Sequence, residues 1–108
     1  MLSKKPLSRT VLATVKAISN GARHGFDIMD ATGLPSGTVY PALDRLERSG
    51  LVRSRWESQV IARREKRPPR RYYEITAAGA RALAQSLEHY RRLGSSLDGR
   101  LVPRPRGA

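Results

Sequence analysis

Val11, Leu12, Val15 and Ile18 return every three or four residues, the spacing that turns one helical face inward, and Asn20-Gly21 follows as a stop. With Ser8 placed to cap it, this pattern predicts a first helix over 9–19. A shorter stretch over 25–31 sets Phe26 and Met29 on one face, and Thr32-Gly33-Leu34-Pro35 breaks it. The third pattern is the most regular. Val39, Ala42, Leu43 and Leu46 follow the i, i+3, i+4, i+7 rule over a predicted helix 36–49, with Ser36 as its expected cap and Gly50 as its stop.

Two β-compatible stretches come next, 51–57 and 72–75, separated by a polar segment over 58–69 with too little apolar content to pack on its own. They predict a hairpin with a mobile loop. Thr76 then opens a last helix, in which Ala80, Leu83, Leu87 and Tyr90 recur at steps of three and four, like a coiled-coil seam. Arg81, Gln85, Glu88 and Arg92 fall on its opposite face. The expected organisation is a basic arm over 1–7, a domain over 8–76 with its wing at about 58–69, a helix over 77–94, and a flexible basic tail over 95–108.

Helix, short helix, tight turn, capped helix and hairpin make the chain mainly α with a small β-hairpin (α+β). That order is the one a winged helix-turn-helix domain needs, here followed by a C-terminal dimerisation helix. Length allows one small domain and no separate catalytic one, since the chain has 108 residues.

Charge sharpens the picture. The formal net charge is +12, and eight basic residues against two acidic ones between Arg53 and Arg71 place +6 of it in the hairpin. A polyanionic partner follows. No apolar run is long enough for a membrane span and no signal-peptide pattern precedes the first helix, so a cytoplasmic, nucleoid-associated protein is expected. With no cysteine, and with His24 and His89 far apart, neither a metal nor another cofactor is expected. Asp27 and Asp30 read as a solvated helical face, and no nucleophile has a base beside it, so no enzyme is expected.

Burying Val39, Leu43 and Leu46 turns Thr38, Tyr40, Pro41, Asp44, Arg45 and Arg48 outward, with Ser36 at the helix tip where groove-reading residues belong. Backbone N–H groups there favour a phosphate, and the hydroxyls of Ser36, Thr38 and Tyr40 add donors. Pro41 removes one backbone donor early in the helix. Arg63, Arg64, Lys66 and Arg67 follow at wing position, where their charge argues for DNA backbone contact. Trp56 lies on the first wing strand and is expected to pack in the core or hairpin.

The run Thr32-Gly33-Leu34-Pro35-Ser36-Gly37-Thr38-Val39-Tyr40-Pro41-Ala42-Leu43, with Arg45-Leu46-Glu47 and Ser49-Gly50-Leu51-Val52 after it, closely resembles the recognition helix of the PadR family. Pro68-Pro69-Arg70-Arg71-Tyr72-Tyr73-Glu74-Ile75 is similar to that family's second wing strand, and His24-Gly25-Phe26-Asp27-Ile28 to its second-helix opening. The resemblance implies a homodimer that binds double-stranded operator DNA, commonly palindromic and commonly for repression. It implies contacts from Ser36, Thr38, Tyr40, Arg70 and Arg71. Together with the charge argument, the expected DNA-binding set is Ser36, Thr38, Tyr40, Pro41, Arg45, Arg63, Arg64, Lys66, Arg67, Arg70, Arg71 and Tyr73. The expected dimer interface is Ala80, Leu83, Leu87 and Tyr90. No residue set identifies a small-molecule effector. The alternative, a basic RNA-binding or ribosome-associated domain, would want aromatic residues on a sheet for stacking, and only Tyr72, Tyr73 and Trp56 offer that.

Overall fold

The computed structural model describes residues 5–96, and the first part of the basic arm and the tail from 97 onward lie outside them. Helix α1 (Arg9–Ser19) starts where Ser8 accepts a hydrogen bond from the Val11 N–H. Its buried stripe of Val11, Val15 and Ile18 meets α2 (Gly25–Thr32) and α3 (Ser36–Arg48) around Ile28, Val39, Leu43 and Leu46. Side chains buried so completely contribute about 1.5–3 kcal/mol each, and this cluster holds the domain together.

Strands β1 (Val52–Trp56) and β2 (Arg71–Ile75) form one antiparallel hairpin, from Val52 opposite Ile75 to Trp56 opposite Arg71. Val52 anchors it in the core, and the Tyr73 N–H donates to the Arg23 carbonyl, tethering the free edge of β2 to the α1–α2 loop. Between the strands the loop expected over 58–69 is in part a helix, α4 (Gln59–Arg64). Ser58 caps it by accepting from the Val60 N–H, and Ala62 is buried beneath it. A good N-cap and one small inward residue suffice for a single turn and a half, a signal that a scan for apolar periodicity passes over.

Helix α5 (Ala77–Ser96) begins with Thr76, whose Oγ1 accepts from the Gly79 N–H and donates to the Gly50 carbonyl. Gly79 lies so close to the Leu51 carbonyl that a Cβ there would overlap it, so glycine sets how tightly α5 closes on the start of β1. The apolar stripe read along α5 divides. Leu83, 8% exposed, joins the core, and the Tyr90 hydroxyl donates to the Leu7 carbonyl. Ser86 is buried and accepts from the Leu7 N–H. Ala80 and Leu87 face solvent. Leu83 and Tyr90 therefore pack on their own domain. Of the four residues expected in the seam, Ala80 and Leu87 are thus the exposed ones, because α1 and the segment before it cover the side of α5 that holds Leu83 and Tyr90.

Candidate nucleic-acid interface

The turn between α2 and α3 is built from its sequence. Gly33 adopts the left-handed φ of 75° that ends α2, and Thr32 Oγ1 donates to the Ile28 carbonyl while accepting from the Leu34 N–H. Pro35, extended at φ −77° and ψ 163°, then occupies the cap position of α3, and no side chain caps the helix. Ser36 is thus the first helical residue and not the cap, because proline holds the conformation that a cap requires. Its side chain is exposed to solvent.

With Val39, Ala42, Leu43 and Leu46 buried, α3 presents Ser36, Tyr40, Pro41 and Arg45 outward, and Thr38 is half-exposed beside them. Asp44 pairs with Arg48 at 3.1 Å, whereas Arg45 makes no ion pair among the described residues. The Tyr40 ring rests over Gly25 so closely that a Cβ at that position would overlap its hydroxyl end. Glycine at the start of α2 therefore leaves room for the position that Tyr40 of α3 takes.

The wing is organised around a buried carboxylate. Glu57 accepts from both Arg67 guanidinium nitrogens, at 2.6 and 2.9 Å, from the Arg70 N–H at 3.1 Å and from the Tyr72 hydroxyl at 3.2 Å. The Arg67 guanidinium is the main cause that holds Glu57 down at about 2. Arg67, expected on phosphate, is thus turned inward by a bidentate pair. Arg71 is also engaged within the fold, where its Nε donates to Ser54 Oγ at 2.9 Å and its guanidinium pairs with Glu47 of α3 at 3.3 Å. That network ties the wing base to α3. Tyr73 is half-buried against the core, and burial pushes its phenol up. Arg63, Arg64 and Lys66 remain exposed on and after α4, and Arg70 is half-exposed.

Of the expected set, then, the α3 tip, Arg63, Arg64, Lys66 and Arg70 point outward, and Arg67, Arg71 and Tyr73 are engaged within the fold. Sequence reading missed two residues. Phe26 is 70% exposed and Trp56 62% exposed, and both line a groove of about 510 Å³ shared with Tyr40, Arg70 and Arg71. Trp56 is not in the core; it ends β1 opposite Arg71, whose guanidinium lies 5.4 Å from its ring. Among the described residues no group of His, Cys, Asp and Glu could hold a metal ion, and no helix is long and apolar enough to cross a membrane.

The sequence profile of the transcriptional regulator PadR-like family matches residues 14–85, which runs from the second half of α1 into the first half of α5. The chain belongs to the PadR-like family of transcriptional regulators. No curated protein sequence matches it. Among solved structures, a PadR-like transcription factor from Bacteroides fragilis is 23% identical, covers 82% of this chain and 85% of its own, and has a TM-score of 0.68. A PadR family regulator from Clostridium difficile R20291 is 22% identical over 82% of this chain and 94% of its own, with a TM-score of 0.69. BpsR of Bordetella bronchiseptica, whose DNA binding is regulated by 6-hydroxynicotinic acid, is 16% identical over 94% of this chain and 73% of its own, with a TM-score of 0.70. These likenesses are likenesses of fold.

Proposed function

We propose that this PadR-like protein is a homodimeric repressor that binds a palindromic double-stranded operator. The α3 tip reads the major groove through Ser36, Thr38, Tyr40, Pro41 and Arg45, and the wing cations Arg63, Arg64 and Lys66 neutralise backbone phosphates. Arg70 joins them at the wing base. The observation that carries this reading is the outward tip of α3 beside a wing loop whose exposed Arg63, Arg64 and Lys66 make no ion pair among the described residues. The dimer contact is formed by the solvent-facing side of α5, where Ala80, Ala84 and Leu87 lie at steps of four and three. A two-fold axis there spaces two recognition helices for half-sites about one DNA turn apart. The protein acts in the cytoplasm, on the nucleoid.

Selection of bound fragments from genomic DNA, followed by titration of the enriched duplex against salt, tests the reading. Tight binding to a palindromic duplex that weakens steeply with salt is the expected result. Equal or tighter binding to single-stranded RNA of the same length would favour the ribosome-associated alternative instead.

A further inference from the structure

Phe26 and Trp56 are the two most exposed aromatic side chains among the described residues, at 70% and 62%, and they share one groove. Leaving large aromatic surface in water forfeits burial that a core position would have gained, so a shared exposed patch calls for an occupant. The groove's remaining walls narrow the choice. Arg67, Arg70 and Arg71 line it, Pro68 and Pro69 stiffen its rim, and no carboxylate side chain is among its lining residues. Its occupant is therefore an anion with apolar faces.

Its position narrows the choice further. The groove lies between the start of α2, Tyr40 of α3 and the base of the wing, so it flanks the recognition helix on the wing side. If α3 enters a major groove, the DNA strand bordering that groove passes beside the start of α2 and the wing base. Resting on that proposed function, we infer that the groove seats one sugar–phosphate strand of the bound duplex. Deoxyribose faces pack on Phe26 and Trp56, and phosphates meet Arg70 and Arg71. A small-molecule site of similar volume would enclose its ligand and shelter its aromatic walls. Phe26 and Trp56 stay more than half in solvent.

Arg71 suits this role because Ser54 and Glu47 hold it in place beforehand, so little side-chain freedom is lost when a phosphate arrives. The restraint on Trp56 is weaker, a stacked Arg71 guanidinium over a ring that stays exposed.

Trp56 is the chain's one tryptophan, so its fluorescence reports the groove directly. The experiment measures acrylamide quenching of the full chain, free and saturated with the selected duplex, with binding followed separately by anisotropy of labelled DNA. Keeping the protein concentration equal in both arms makes any self-association common to them. Saturating duplex should lower the quenching constant several-fold, and Phe26→Ala and Trp56→Ala should each weaken duplex binding about tenfold while leaving the circular dichroism spectrum unchanged. Duplex that binds by anisotropy but leaves Trp56 as quenchable as before, with both variants at wild-type affinity, would overturn the inference and leave the proposed function standing. Protection of Trp56 by 2-naphthoate and none by duplex would overturn it in favour of a small aromatic anion. Absence of any duplex binding would remove the function it rests on.

Discussion

In α3, Val39, Ala42, Leu43 and Leu46 are all buried, and packing against α1 and α2 is enough to aim the helix tip outward. The wing is held in another way. Between 53 and 71 the buried residues are Ala62, which lies outside the core cluster, and Glu57, a carboxylate. One half of the proposed DNA surface is positioned by the hydrophobic effect, which is non-directional and indifferent to pH. The other is closed beyond its last strand pair by a single carboxylate that collects four hydrogen bonds, from Arg67, Arg70 and Tyr72. The same difference explains why identical residue types in one charge run end in different places. Arg67 is committed to the fold, and Arg63 and Arg64, four and three residues earlier, stay exposed.

The largest effect expected from this contrast is on the apolar side. Leu83→Asp puts a charge into the core cluster and should cost about 3 kcal/mol or more, a large share of the stability of a small domain. Leu87→Asp, at a position 39% exposed, should leave the fold intact and shift sedimentation from dimer to monomer. A folded Leu87→Asp variant that remains dimeric would move the interface off this face of α5.

Next in size is the division of the wing cations. Replacing Arg63, Arg64 and Lys66 by Gln should weaken binding to every duplex and flatten the plot of log affinity against log salt. The slope should fall by about 0.9 for each phosphate no longer neutralised, or about 5 if all three cations of both protomers bind one each. Arg67→Gln should change that slope much less and instead raise hydrogen exchange across 57–72. If both variants flatten it equally, Arg67 leaves Glu57 when DNA binds.

The helices and strands were readable because their signals are local. Apolar period, Ser8, Gly33, Gly50 and Thr76 each act within a few residues, and the structure keeps α1 over 9–19 as expected and extends α2 to Thr32. The α3 tip was readable for the same reason, since burying one stripe fixes the opposite one. What escaped depends on partners distant in sequence. Nothing near Glu57 says that Arg67 will reach back to it, and nothing near Leu83 says that Leu7 and α1 will cover that side of α5. Of the two places expected for Trp56, the core and the hairpin, it takes the hairpin, with the cross-strand Arg71 guanidinium over a ring that stays 62% exposed.

A smaller effect tests how the apolar side aims its reader. Gly25→Ala must displace Tyr40, whereas Gly37→Ala meets nothing within 4 Å. Gly25→Ala should lower operator affinity about tenfold with little loss of stability. Gly37→Ala should raise the urea midpoint, by about 0.5–1 kcal/mol in stability, since alanine is the better helix former. Unchanged operator affinity in Gly25→Ala would mean that the orientation of Tyr40 does not matter for binding.

The smallest effect distinguishes the two halves by acid. Glu57 is held at about 2 in the folded protein against an ordinary 4.5, chiefly by the Arg67 guanidinium. A carboxyl lowered on folding binds fewer protons folded than unfolded, so its contribution is fully present above the unfolded value. It is lost as pH falls through about 4.5 toward about 2. Glu88 is also held at about 2, by Arg91 and Arg92, but that cluster is open to solvent and screened by salt, so its share should fade at high ionic strength. In urea titrations at high salt, wild-type stability should therefore decline between about pH 5 and pH 2 more steeply than that of Glu57→Gln, with the two curves converging at the acid end. Because α1 and α3 are held by apolar contacts, hydrogen exchange at about pH 3 should rise first across the wing while amides of α3 stay protected. Simultaneous loss of protection in α3 and the wing would show that the carboxylate supports the whole domain and not the wing alone.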